Sequence, residues 1–203
     1  MNKGAIRSHF KALLNRSDCS DALADTFMDQ SIARTQRTLR IPSMEKKQTY
    51  SISSSTTLLV LPSDFLEIID LYYNDTALTR LPLSEIIDYR DAAETGTPKF
   101  FTREGSSLLI YPYPTSGTVT LNYYGEFTSM TSDSDENALA ASASDVIIYG
   151  MLSYAADYYL DERGPVFDQK YQQFLFEIQQ QADDAEVSGT VQSLRPMAIY
   201  DED

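Results

Sequence analysis

Apolar residues recur along this chain at two spacings, close to 3.6 residues near both ends and close to 2 in between. From Asn2 to about Leu14, Ile6, Phe10, Leu13 and Leu14 share one face of a short amphipathic helix, with Lys3, Arg7 and Lys11 on the other side. Asn15-Arg16-Ser17-Asp18 breaks it. A second helix starts near Asp18 or Ser20, either of which can cap it, and runs to about Arg40 with Ala24, Phe27, Met28, Ile32 and Leu39 on one broad face. Pro42 marks its end.

From Lys47 the period drops to about 2. Gln48–Ile52 and Thr57–Leu61 flank the serine cluster Ser53-Ser54-Ser55, the composition of a turn between antiparallel strands. Further strands are expected at Glu67–Tyr73, around Ala77–Leu81, and at Lys99–Arg103, Ser107–Ile110 and Thr118–Tyr124, with one helical turn at Ser84–Tyr89. Six or seven short strands at this spacing indicate a sandwich or small barrel. Tyrosines 72, 73, 111, 113, 123 and 124 would supply contact area on its faces.

Thr128–Ser144 is a polar crossing that returns the chain to helix. Ser144 is a candidate cap for a helix with Ile147, Met151, Tyr154, Ala155 and Tyr158 in a stripe, stopped by Gly164-Pro165. In the last helix Phe167, Tyr171, Phe174, Leu175, Ile178, Ala182 and Ala185 follow a strict helical stripe. No period survives after Glu186. These readings give an α+β chain: a helical bundle built from N-terminal helices (1–47) and C-terminal helices (129–186), an inserted antiparallel β-sandwich or barrel-like domain (48–128), and an extended C-terminal tail (187–203). A plain reading of that tail is disorder. Its anchors Val191, Leu194, Met197, Ile199 and Tyr200 favour docking on a partner instead.

At 203 residues and 42% hydrophobic content the chain can bury one substantial core or two small ones. No apolar run reaches the roughly 18–20 residues needed to cross a bilayer, and the N-terminus lacks the apolar stretch of a signal peptide, so a cytosolic origin is expected. The single Cys19 excludes an internal disulfide. The net charge of −14 disfavours phosphate-gripping nucleic-acid binding. It is also unevenly spread: residues 1–47 hold nine Lys/Arg against five Asp/Glu (+4), and residues 48–203 seven against twenty-five (−18). Such asymmetry provides complementary surfaces for neighbouring copies, or simply a solvated exterior. Arg34, Arg37 and Arg40 fit either role, meeting a neighbouring subunit or the negative end of their own helix dipole.

Chemistry has few carriers. His9 is the only histidine, so a multi-His metal site is not available, and no glycine-rich phosphate loop occurs; no catalytic residue, metal or cofactor is expected. Asp133-Ser134-Asp135-Glu136-Asn137 resembles a cation loop but lacks the glycine and distant glutamate of an EF-hand, and reads as a solvated acidic loop. Asp157, Asp161, Glu162, Asp168 and the other acids of the last two helices form, on the plainest view, a wet helix face.

The order of segments resembles the head-to-tail adaptor, or connector, proteins of tailed bacteriophages. The likeness runs from Arg34-Thr35-Gln36-Arg37-Thr38-Leu39-Arg40 with Met44-Glu45, through Leu61-Pro62-Ser63-Asp64-Phe65-Leu66, Gly96-Thr97-Pro98 and Leu108–Pro114, then Thr118–Tyr124 with Gly125, to the helix at Tyr149–Asp161. The resemblance implies a structural protein of the virion neck, made in the host cytoplasm. It implies a ring, commonly of twelve copies, that docks on the portal protein, extends the DNA channel and provides the platform for tail or nozzle proteins. On this view Val191, Leu194, Arg195, Met197, Ile199 and Tyr200 contact the portal. Arg34, Arg37 and Arg40 meet a neighbouring subunit, and Asp157, Asp161, Glu162 and Asp168 are candidates for a channel wall past which packaged DNA slides without specific binding. The alternative is a saccharide-binding or glycoside-hydrolysing tail-associated protein that uses paired carboxylates and the tyrosines Tyr111 and Tyr113.

Overall fold

The computed structural model describes residues 1–53, 58–90 and 94–187, an α+β arrangement of six helices and two four-stranded sheets. Helices α1 (Lys3–Leu14) and α2 (Asp21–Thr38) begin where a side chain satisfies orphan backbone donors: Asn2 accepts from the Ala5 N–H and Ser20 from the Leu23 N–H. A 3-10 turn at Pro42–Met44 leads into strand β1 (Glu45–Ile52). Strands β2 (Leu58–Val60), β3 (Phe65–Tyr73), β4 (Thr76–Ala77) and β5 (Thr79–Arg80) follow, then helix α3 (Leu83–Arg90). Strands β6 (Phe100–Glu104), β7 (Ser107–Tyr111) and β8 (Gly117–Gly125) precede α4 (Ala138–Ser142), α5 (Ser144–Tyr159) and α6 (Gly164–Val187).

The strand periods are correct but the pairing differs from the expected hairpin. Strand β1 pairs antiparallel with β8, Glu45 opposite Tyr124 and Ile52 opposite Gly117, in a sheet ordered β1-β8-β3-β4. Strand β2 instead joins a sheet ordered β2-β7-β6-β5. The reason lies in burial: Ile52 and Leu59 both face the space between the sheets, where they meet Leu71, Phe101, Leu108, Ile110, Val119 and Leu121. The expected strand at 77–81 is likewise divided, β4 lying in the first sheet and β5 in the second. Leu78 is buried at the crossing and donates its N–H to the Leu71 carbonyl at 2.8 Å. Strands β5 and β6 pair in parallel, a departure from the wholly antiparallel expectation.

Strand β7 is covered on both faces. Leu108 and Ile110 face the core between the sheets, whereas Leu109 and Tyr111 pack with Ile86 of α3. The helices share a separate core in which Ile6, Phe10, Phe27, Met28, Ile147, Met151 and Tyr171 meet Leu39, Ile41, Met44, Phe127 and Met130.

Two boundaries also differ. Ser144 does not cap α5, whose entry at Ala143 carries no side-chain hydrogen bond; the crossing before it holds the additional helix α4, capped by Asn137. Helix α5 ends at Leu160, in the left-handed conformation at φ 54°, so the chain has already turned before Gly164-Pro165 opens α6. Gly150 allows α2 to approach α5 closely: a Cβ there would overlap Ser31 Oγ and lie 3.0 Å from Ser31 Cβ, and Ser31 donates its hydroxyl to the Ile147 carbonyl at 2.9 Å.

Candidate functional site

For a chain read as a structural spacer, the functional elements are its surfaces and the joints that hold them. The first joint is ionic. Arg7 forms a two-pronged pair with Asp25 of α2, Nε to Oδ1 at 2.6 Å and Nη2 to Oδ2 at 3.0 Å, and reaches Asp133 with Nη2 at 2.7 Å. Lys3 adds a contact to Asp25 at 3.1 Å. Lys3 and Arg7 therefore do not form the solvated helix face that periodicity gave them, because Asp25 draws them into the seam between α1, α2 and the loop. Burial pushes the Asp25 carboxyl up, but hydrogen bonds from Arg7 and Lys3 outweigh it and hold the group below the usual range.

The acidic loop is likewise an internal structural element rather than a merely solvated one. Its carbonyls at Asp135 and Asp133 accept the Lys3 and Gly4 N–H groups at 2.9 and 3.0 Å, so the loop caps α1 from a distant part of the chain. Asp135 accepts the Ser132 and Thr131 N–H groups, which hold its carboxyl below the usual range.

The three arginines of α2 end in different surroundings. Arg34 donates to Asp168 of α6 at 2.8 Å and lies 4.3 Å from the Tyr171 ring centroid. Arg40 donates to Glu67 of β3 at 2.7 Å and to the Leu39 and Gln36 carbonyls, and its backbone is bonded twice by Gln179 of α6. Arg37 is exposed and makes no ion pair among the described residues. Arg34 and Arg40 thus secure helix to helix and helix to sheet, leaving Arg37 the cation of the three that is open to a neighbour.

Of the acids Asp157, Asp161, Glu162 and Asp168, three line one groove of about 370 Å³ at the α5–α6 turn; Glu162 is exposed beside it. Asp168 is engaged by Arg34 and accepts from Ser153 Oγ at 3.3 Å. Asp161 accepts the Arg163 guanidinium, Nη2 to Oδ2 at 2.6 Å, and that bond together with the Arg163 N–H lowers it to about 2. Arg163 also donates to the Leu14 carbonyl at 3.1 Å, tying the turn to the end of α1. The acids are thus clustered at one end of the helices, two of them neutralised by arginine.

Around this end the chain exposes apolar surface that periodicity did not reveal. Leu160 is 90% exposed, Tyr158 62% and Val166 53%; Phe176, further along α6, is 67% exposed. Tyr158 belongs to the α5 stripe by spacing yet stays largely exposed, in edge-on ring contacts with Phe27 and Tyr159 at centroid distances of 5.8 and 4.8 Å. Ala185, also assigned to a stripe, is exposed. The available signals were Leu160, Val166 and Phe176, large apolar residues that fall outside the helical stripes.

Of the two tyrosines of the saccharide reading, Tyr111 is buried against Ile86 and Leu109 and presents no ring to a sugar, whereas Tyr113 is half-buried. His9 is exposed and Cys19 buried. Among the described residues no group of three or more His, Cys, Asp or Glu is placed to hold a metal, and no helix is long and apolar enough to cross a membrane. The anchors Val191, Leu194, Arg195, Met197, Ile199 and Tyr200 lie outside the described residues.

No curated protein matches this sequence. A family model described as SU10 adaptor protein matches residues 1–195. That span takes in the helices and the eight strands of the described residues, and the chain belongs to the SU10 adaptor protein family of phage head-to-tail adaptors.

Proposed function

We propose that this chain is a neck component that assembles as a ring of about twelve copies, docks on the portal protein, continues the DNA channel and offers a platform to tail or nozzle proteins, without catalysing a reaction. Membership of the adaptor family over residues 1–195 carries the reading. Separate buried cores among the helices, between the sheets and under α3 support it, because each part then keeps its own shape when copies pack together. The division into helices (1–47 and 129–186), inserted strands (48–128) and tail (187–203) follows from this role. Repetition around the ring turns a modest contact per copy into a joint able to bear internal pressure.

Within this arrangement Arg37 faces the neighbouring copy, while Arg34 and Arg40 shape that surface from within. Asp157 and Glu162, the two of the four candidate acids that make no ion pair among the described residues, contribute most to a channel wall that repels phosphate. The segment Val191–Tyr200 reaches the portal. Deletion of residues 187–203 tests the docking role: heads should package DNA yet fail to retain tails or leak their genome, and normal tail attachment would overturn it. Negative-stain images of the protein with its portal should show a ring stacked on the portal ring.

A further inference from the structure

Strand β1 is the outer member of its sheet and pairs with β8 on one side only. Among the described residues its backbone makes no further backbone hydrogen bond, and Gln48, Thr49 and Ser51 are exposed. The other edges of the two sheets are blunt by comparison: β2, β4 and β5 have two or three residues each, and β3 carries two register shifts. Strand β1 runs for eight residues in unbroken register without Pro or Gly, and from Gln48 to Ile52 without a charge. A regular edge of this length is a template for one more strand.

The place where α6 ends indicates which strand. Ala182 and Ala185 share a depression of about 280 Å³ with Ile41, Pro42 and Ser43, so the helix finishes beside the residues that lead into Glu45 and β1. Sixteen residues, 188–203, follow Val187. At about 3.4 Å per residue the first three can cover about 10 Å and the next six about 20 Å, against about 27 Å for the whole of β1. Thr190-Val191-Gln192-Ser193-Leu194-Arg195 contains no acid, Gly or Pro, and is bounded by Gly189 and Pro196, which set the limits of a strand. A strand from another molecule must approach a chain of net charge −14, whereas this segment is tethered next to the edge and free of acid, which gives it a high effective concentration there.

We propose that in the free chain residues 190–195 add to the open edge of β1 as a fifth strand of that sheet. The segment enters at the Glu45 end, beside the last turn of α6, and so runs parallel to β1. The inference rests on the adaptor reading and deepens it: the segment that the portal receives is sheltered on β1 until the portal competes for it.

The test is hydrogen–deuterium exchange on the full chain and on the chain lacking residues 188–203. The outward amides of β1 should exchange at least tenfold more slowly in the full chain, with exchange in α5 the same in both. Gln192→Pro with Ser193→Pro removes two donors from the added strand without touching either described core, and should bring β1 to the rate of the truncated chain. Dilution should leave the protection unchanged, and addition of portal protein should remove it. Equal exchange in the full and truncated chains, or protection that survives the proline pair, would overturn the proposal. Protection lost on dilution would also overturn it and assign the edge to a second copy, as would a portal complex in which β1 stays protected. Fast exchange of β1 in a full chain whose truncation still loses tails would dispose of this contact and leave the adaptor reading standing.

Discussion

The side-chain amide of Gln179 bonds the backbone of Arg40 at both ends, donating Nε2 to its carbonyl at 2.8 Å and accepting its N–H at 2.9 Å. The pair joins α6 to the end of α2 just where the chain leaves the helices for β1, and the Arg40 side chain extends the joint to Glu67 of β3. Relative placement of helices and sheets therefore depends on a residue that the hydrophobic stripe of α6 does not include.

Gln179→Ala should cost about 1–2 kcal/mol, since it leaves a backbone donor and acceptor of Arg40 without partners in a half-buried place. Gln179→Glu retains the acceptor and sets a charged oxygen against the carbonyl, so it should be worse. Urea unfolding of both variants measures the order; equal midpoints would refute it.

Gly150→Ala should destabilise by about 1–3 kcal/mol even though alanine is the better helix former, because the new methyl overlaps Ser31 Oγ and presses Ser31 Cβ at 3.0 Å. Adding Ser31→Gly should recover a part of the loss. Thermal melting of the single and double variants checks the coupling.

Acid should weaken the fold. Asp25 and Asp64 are both held below the usual carboxylate range: burial raises each, but Arg7 and Lys3 on the one, and Lys46 and Tyr123 on the other, outweigh it. Their contribution is therefore complete above about pH 4 and is lost as pH falls below it, because the unfolded chain then binds protons that the folded chain resists. Asp161, lowered to about 2, extends the window down to that pH. Urea midpoints should be flat from pH 6 to 8 and fall below about pH 4. Asp25→Asn should cost about 2 kcal/mol at pH 7 and flatten the acid limb.

Arg34→Lys keeps the charge but loses the planar stack on Tyr171, 4.3 Å away, and should lower the stability of the single chain by about 1 kcal/mol. Arg37→Glu should change stability by less than about 0.5 kcal/mol and instead impair ring formation. Calorimetry at low concentration and native mass spectrometry at high concentration separate the two effects. Loss of stability in the Arg37 variant would count against its role toward a neighbour.

Apolar spacing from Asn2 and the candidate caps Asp18 and Ser20 placed the first two helix starts to within a few residues, Ser20 being the cap in the fold, and alternation along Thr118–Tyr124 marked β8 with its buried Val119, Leu121 and Tyr123. These signals are legible because a cap or a strand period involves residues within four positions of one another. Partner choice is not local: β1 meets β8 some seventy residues later, and whether a serine-rich connection closes a hairpin or changes sheets depends on which face Ile52 and Leu59 must bury. The same holds for Lys3 and Arg7, whose positions mark a polar helix face until Asp25 and Asp133 arrive from other segments. The sequence by itself determined the α+β class, the starts of α1 and α2, the strand periods and the uneven charge. Tertiary structure alone decided the strand partners, which cations are consumed internally, and that Arg37 and the apolar rim at Leu160 remain on the surface, because burial and charge pairing are settled between segments far apart in the chain.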